Sequence, residues 1–224
     1  MAKEKVIFYC TECGSSQLKW SGKCPDCGAW NSMEERTVNK KQTRVKISKK
    51  SYPRPLKETK KQIIKRITTD ITEFDRVLGG GFVKGSVLLL GGEPGVGKST
   101  LMLQVLDRIE DKKCIYFSGE ESEEQIRMRS DRLGIKNGEI LLSCENSMEK
   151  IIHFMDKMDP DIIVIDSIQT IYSEQLSNIP GSITQVKECS GQLTRKAKEL
   201  GCIIVFVGHI TKSGNIAEIG RAHV

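Results

Sequence analysis

The stretch Gly92-Glu93-Pro94-Gly95-Val96-Gly97-Lys98-Ser99 fits the pattern G-x-x-x-x-G-K-[ST] at every fixed position. An apolar run, Ser86 to Leu90, precedes it, and a helical pattern, Ser99 to Arg108, follows. A strand that turns through a glycine-rich loop into a helix leaves few folds open, and the motif carries weight because it lies in that context. The glycines let backbone N–H groups converge on phosphate oxygens, the helix adds its positive end, and the lysine ammonium reaches the outer phosphates. Gly92 to Ser99 are therefore expected to bind a nucleotide, with Lys98 on its phosphates and Ser99 as a ligand of magnesium.

Beyond residue 85 short apolar runs alternate with helical patterns. After Ser86 to Leu90 and Ser99 to Arg108 come Lys113 to Ser118, Ser122 to Leu133, Glu139 to Ser143, Met148 to Lys157, Asp161 to Asp166, Ser182 to Leu200 and Cys202 to Val207. That order predicts an α/β fold with a parallel sheet. In Asp161-Ile162-Ile163-Val164-Ile165-Asp166, four successive apolar residues mark a strand buried on both faces. Its terminal Asp166 emerges at the edge where open α/β sheets bind ligands, and is expected to hold magnesium, through water. Hydrolysis also needs a base, and Glu120 and Glu121 leave the same edge after Cys114 to Ser118. Glu120 is the preferred base and Glu121 the alternative, since acidic residues also populate the first turn of helices. His209 follows the last apolar run, beside the expected γ-phosphate, where it would donate a hydrogen bond or serve as a structural histidine. His153, on an amphipathic pattern, reads as structural.

The N-terminal part has a different chemistry. Cys10-Thr11-Glu12-Cys13-Gly14 and Cys24-Pro25-Asp26-Cys27-Gly28 are two C-x-x-C pairs nine residues apart after the first glycine. Two thiolates per tight turn and two such turns complete a tetrahedral zinc site at Cys10, Cys13, Cys24 and Cys27. With all four positions filled by protein the role is structural, and so short a segment needs such a staple to fold. Trp20 and Trp30, the two tryptophans of the chain, flank this module; packing over the metal turns is the favoured reading and stacking on nucleotide bases the alternative. Cys114, Cys144, Cys189 and Cys202 read as small buried hydrophobes.

Charge separates the two parts. The chain of 224 residues has a net charge of +6, yet residues 34–66 hold thirteen Lys/Arg and three Glu, a net of +10, so the remainder sums to −4. That stretch contains Pro53 and Pro55 and no apolar period, so it reads as a basic linker. Attraction to a nucleic-acid backbone and plain solubility remain open as its purpose. No window approaches the ~18 apolar residues of a membrane span, and Met1 to Val6 lacks the apolar core of a secretory signal. A cytoplasmic location is expected, where thiols stay reduced and eight cysteines favour metal or burial over disulfides.

These motifs occur together in one family. Cys10 to Asn31, Leu78-Gly79-Gly80-Gly81, Gly91 to Thr100, Ser118-Gly119-Glu120-Glu121-Ser122, Asp166-Ser167-Ile168-Gln169-Thr170 and Gly208-His209-Ile210-Thr211-Lys212 closely resemble the bacterial RadA (Sms) family of DNA repair proteins. The resemblance implies a RecA-like ATPase using ATP and magnesium, assembled as a homo-hexameric ring, which binds single-stranded or branched DNA and drives branch migration of recombination intermediates. It extends the nucleotide loop to Thr100 and puts Lys98 and Ser99 on the Walker A positions, Asp166 on the Walker B acid, Glu120 on the catalytic glutamate and His209 on the switch position. RecA itself has Gln at that switch. Recombinase or helicase partners are a further implication, as is a zinc-ribbon adaptor role for residues 8–31.

The expected layout is a zinc ribbon over 1–33, a basic linker over 34–66, a RecA-like core over 67–217 that stops short, and a non-native tail over 218–224. Family members continue with a Lys-Asn-Arg-Phe-Gly motif and a Lon-protease-like domain, neither of which follows here. Ile219-Gly220-Arg221-Ala222-His223-Val224 reads back as ATC GGA AGA GCA CAC GTC, a string like a sequencing adapter. An ATP-driven DNA motor is the leading functional expectation, and an ATP-gated clamp or adaptor without motor activity is the alternative.

Overall fold

The computed structural model of the chain describes residues 5–38, 55–58 and 65–209. The chain divides into two compact units, Met1–Ile64 and Lys65–Val224. Most of the basic linker, the whole tail 218–224 and the segment Ile210-Thr211-Lys212 lie outside the described residues.

The first unit is built on three antiparallel strands, β1 (Lys5–Cys10), β2 (Ser16–Gln17) and β3 (Met33–Val38), in the order β2-β1-β3. β3 pairs with β1 along its whole length, from Cys10↔Met33 to Lys5↔Val38. Residues 34–38, assigned to the linker by charge, are therefore strand. Backbone pairing with β1 fixes them whatever their composition, a constraint that charge counting does not register.

The second unit opens with β4 (Arg66–Ile67), α1 (Thr72–Val77) and β5 (Phe82–Val83), a small antiparallel pair around a helix. Arg66, counted at the end of the basic stretch, donates to the carbonyls of Leu78 and Gly81, each at 2.9 Å. It thereby satisfies acceptors left at the end of α1. Phe82 is fully buried and meets Phe74 edge to face, 5.5 Å between centroids.

The main sheet has five parallel strands in the order β6-β10-β9-β7-β8. They are β6 (Val87–Gly92), β7 (Cys114–Ser118), β8 (Leu141–Ser143), β9 (Ile162–Asp166) and β10 (Ile203–His209), alternating with α2 (Lys98–Asp107), α3 (Glu123–Leu133), α4 (Met148–Met158) and α5 (Ile183–Leu200). β7 and β9 are buried at every position. Period-2 alternation divides their side chains between two cores. Ile163, Ile165, Ile115 and Phe117 pack with Met148, Ile151 and Met155 of α4 and Val186, Cys189 and Leu193 of α5. Ile162, Val164, Cys114 and Tyr116 pack on the other face with Met102, Val105 and Leu106 of α2 and Ile126 of α3.

Two strands run further than their apolar pattern. β6 ends at Gly92 and β10 at His209, because the parallel ladder continues through Gly208↔Gly91 and His209↔Gly92. The ladder needs only backbone groups, so polar and glycine residues extend it. His209 is consequently fixed beside the start of the nucleotide loop.

Candidate functional site

The carboxyl ends of β6, β7, β9 and β10 bring together residues far apart in sequence. Gly95 and Gly97 in the loop after β6 have φ of 78° and 98°, left-handed values that only glycine adopts without cost. Lys98, the first residue of α2, is 7% exposed, and its Nζ donates to the carbonyls of Gly92 and Glu93, each at 2.9 Å. The same Nζ is 3.3 Å from Nδ1 of His209. An ammonium has only donors, so Nδ1 accepts and the ring proton sits on Nε2. Nε2 lies 2.9 Å from Oε1 of Glu120, and the Ser167 hydroxyl donates to that oxygen at 2.6 Å. Burial works to raise the Glu120 pKa, but the hydrogen bonds from Ser167 and His209, with the charge of Lys98, outweigh it and hold the carboxyl below its ordinary value.

The two adjacent glutamates diverge. Ser118 Oγ donates to the Glu121 carbonyl at 2.8 Å and accepts from its N–H at 3.2 Å, closing a tight turn after β7. Glu120 joins Lys98 and His209, whereas Glu121 forms an ion pair with Arg129 of α3. Gly119 crosses this turn against its neighbours: its N–H donates to the Asp166 carbonyl at 2.6 Å, and a Cβ there would overlap the Thr170 side chain and come within 2.9 Å of Asn146 Oδ1.

Asp166 is 8% exposed and pairs in register with Ser118 on one side and Val207 on the other. Its carboxylate accepts a hydrogen bond from the Tyr116 hydroxyl. Burial first, then the charge and hydrogen bond of Asp166, raise the Tyr116 pKa strongly; a hydrogen bond to Ser99 acts in the other direction. The hydroxyl of Ser99 and the carboxylate of Asp166, expected to hold magnesium, are the hard donor set that this ion takes.

The ribbon presents a second candidate site. The sulfurs of Cys10, Cys13, Cys24 and Cys27 all lie within 4.8 Å of one another, with Cys10–Cys27 and Cys13–Cys24 each at 3.6 Å. Four thiolates at ~2.3 Å around one zinc ion stand about 3.8 Å apart, so the cluster fits the metal. Two matching turns build it. Gly14 N–H donates to the Cys10 carbonyl and Cys10 N–H to that of Ser15, both at 2.8 Å; Gly28 to Cys24 at 2.9 Å and Cys24 to Ala29 at 2.8 Å repeat the pattern. The Ser15 hydroxyl and backbone amides bring the Cys24 thiol down to about 6. The Ala29 amide favours a Cys27 thiolate, but burial and the three neighbouring sulfurs prevail and push it up to about 12. Mutual repulsion of this kind is relieved by a shared cation.

Two readings of the sequence are corrected. Trp20 and Trp30 do not pack over the metal turns; they are 60% and 72% exposed, because the apolar cluster of this small module, among the described residues, consists of buried Cys10, Cys24 and Met33 beside Phe8 and Cys13. Cys144 is exposed rather than buried, since it lies just beyond the end of β8 with its thiol toward the Glu121 carbonyl. Cys114, Cys189 and Cys202 are buried.

Sequence reasoning missed Tyr116, Ser167, Arg129 and Gln169, whose Nε2 donates to the His209 carbonyl at 3.3 Å. A tyrosine inside a strand buried on both faces was a signal for Tyr116, because its hydroxyl needs a partner there. Ser167 and Gln169 stand in a motif that carries the family resemblance, but their roles were not legible there, as their partners are 47 and 40 residues away.

Comparisons with known proteins agree with this geometry. Residues 67–143 match the family model of the KaiC ATPases, and residues 8–35 match a zinc ribbon described as a rubredoxin metal-binding domain. Proteins named DNA repair protein RadA from Halalkalibacterium halodurans, Bacillus subtilis and Aquifex aeolicus are 45%, 44% and 44% identical, each over 97% of this chain and 49% of the relative. The chain spans about half the length of the curated relatives it matches. Among solved structures, a KaiC-like protein from Pyrococcus horikoshii aligns with a TM-score of 0.56 at 20% identity, covering 69% of this chain and 76% of that one, which shows the fold. No helix among the described residues is long and apolar enough to cross a membrane. Aligned over 97% of its own length with about half of each of those relatives, the chain is a RadA homologue, a four-cysteine zinc ribbon followed by a RecA-type P-loop core.

Proposed function

We propose that the chain carries the ATPase of a DNA-dependent enzyme of recombinational repair, one that processes or branch-migrates recombination intermediates on single-stranded DNA. The observation that carries this reading is the continuous hydrogen-bonded path from Lys98 through His209 to Glu120 at the carboxyl edge of the sheet. The 45% identity to proteins named for DNA repair supplies the substrate class.

Gly92 to Thr100 hold the triphosphate of ATP, and Lys98 exchanges its two loop carbonyls for phosphate oxygens. Ser99 and Asp166 would hold magnesium, which would supply positive charge against the oxygens that become negative during transfer. Glu120 takes a proton from the attacking water as that oxygen bonds to the γ-phosphorus; the bond to the bridging oxygen breaks, giving ADP and phosphate. When Lys98 turns to the phosphates, His209 Nδ1 loses its donor, so the ring is freed to reorient and offer an N–H to the γ-phosphate. Because the same ring holds Glu120, occupancy of the phosphate site changes the base.

The four cysteines hold structural zinc, residues 34–66 act as a basic tether toward DNA, and the core works as a subunit of a homo-hexamer, with recombinase or helicase partners on the same DNA. A clamp gated by ATP is the second reading, favoured by the link between Glu120 and the end of β10. Glu120→Gln separates the two: a motor stops moving DNA strands, whereas a clamp still alternates between nucleotide-bound and free states. ATP hydrolysis stimulated by single-stranded DNA and abolished by Lys98→Ala is the expected result, and the absence of DNA stimulation across salt concentrations counts against the reading.

A further inference from the structure

The zinc ribbon exposes aromatic surface that its metal does not explain. Trp20, Trp30 and Leu18 are 60%, 72% and 65% exposed within a module of very small core. Both indoles are anchored on one short segment. Lys23 bridges to Trp30, the Asn31 N–H donates to the Gly22 carbonyl at 2.8 Å, and the Trp20 ring lies against Gly22. Lys23 Nζ sits 5.6 Å from the Trp30 ring centroid, and Lys19 beside Trp20 is exposed. Exposed rings held at a fixed backbone position, one of them under an ammonium and the other next to an exposed lysine in sequence, are the components of a single-strand stacking platform: every base offers a π-face, and the cations meet phosphates.

From this we infer that Leu18, Trp20 and Trp30, with Lys19 and Lys23, form a base-stacking face for single-stranded nucleic acid on the ribbon itself. Charge selects this occupant over an apolar protein partner. Lys23 lies over the Trp30 ring, Lys19 precedes Trp20 in the sequence, and the residues that follow, 34–66, carry a net +10. The inference rests on the DNA-dependent reading above and adds where on the chain unpaired bases are gripped.

Trp20 and Trp30 are the only tryptophans in the sequence, so intrinsic emission reports this face alone. The test titrates the zinc-loaded protein with a fluorescently labelled oligo(dT), following label anisotropy and tryptophan emission together. Binding with quenched emission is expected, while heparin, a polyanion without bases, binds and leaves emission unchanged. Trp30→Ala and Trp20→Ala should each weaken oligo(dT) binding about five- to tenfold at constant zinc content, and Trp30→Phe should recover most of it. Binding with unchanged emission and unchanged affinity in the alanine variants overturns the inference and leaves the face to a protein partner. Equal quenching by heparin overturns it too. No oligo(dT) binding at all sinks the DNA-dependent reading, and the stacking face with it.

Discussion

Nε2 of His209 lies 2.9 Å from Oε1 of Glu120, although 89 residues separate them in the chain. The contact exists because β10 and β7 end at the same edge, flanking β9, and because the β10 ladder runs on to His209. It makes the protonation of Glu120 a property of the folded site.

The Glu120 carboxyl lies below its ordinary value, held there against burial by Ser167, His209 and Lys98. A folded value below the unfolded one contributes stability that is complete above the unfolded value and is lost as pH falls through the folded value. Thermal unfolding of the protein and of Glu120→Gln should therefore differ at pH 7, with the gap closing as pH drops below about 4. A gap that widens with acid contradicts the assignment.

Tyr116 is fully buried and its hydroxyl reaches Asp166. Tyr116→Phe removes the donor and keeps the ring, so denaturant unfolding should show a loss of about 1 kcal/mol. In a double-mutant cycle with Asp166→Asn the two changes should be non-additive, and strict additivity would separate them.

Gly119 has no room for a side chain. Gly119→Ala places a methyl group on Thr170 and near Asn146, so the turn that carries Glu120 must shift. The expected cost is about 1–3 kcal/mol of stability, with a fall in ATP turnover, whereas Gly138→Ala, with open space around it, should leave turnover unchanged.

Zinc binding should be coupled to folding of the ribbon. Because all four thiols must lose protons, metal affinity falls with acid. One zinc per chain, released on acidification or by chelator with loss of the β1–β3 pairing in amide exchange, is the expected outcome. Metal analysis that finds no stoichiometric zinc refutes the four-cysteine site.

The P-loop, the two C-x-x-C pairs and the apolar run into Asp166 were legible because each writes its chemistry into contiguous residues. The choice of Glu120 over Glu121 was only half legible: neighbours in sequence, they are turned apart by the Ser118 hydroxyl and claimed by His209 and Arg129, partners from other elements. Trp20 and Trp30 misled because aromatic residues beside a metal turn suggest packing, whereas the small ribbon core leaves both well exposed among the described residues. The extension of β3 to Val38 was hidden because strand pairing is a backbone property and those side chains read as linker.

Glu120 carries the proposed hydrolysis most directly. Rapid-quench measurement of magnesium-dependent ATP hydrolysis with and without single-stranded DNA, on the protein and on Glu120→Gln side by side, should show DNA-stimulated turnover that falls ~10²- to 10⁴-fold in the variant while ATP affinity is retained. Glu120→Gln hydrolysing at the unaltered rate, or no magnesium-dependent ATP binding by the protein, contradicts the site described.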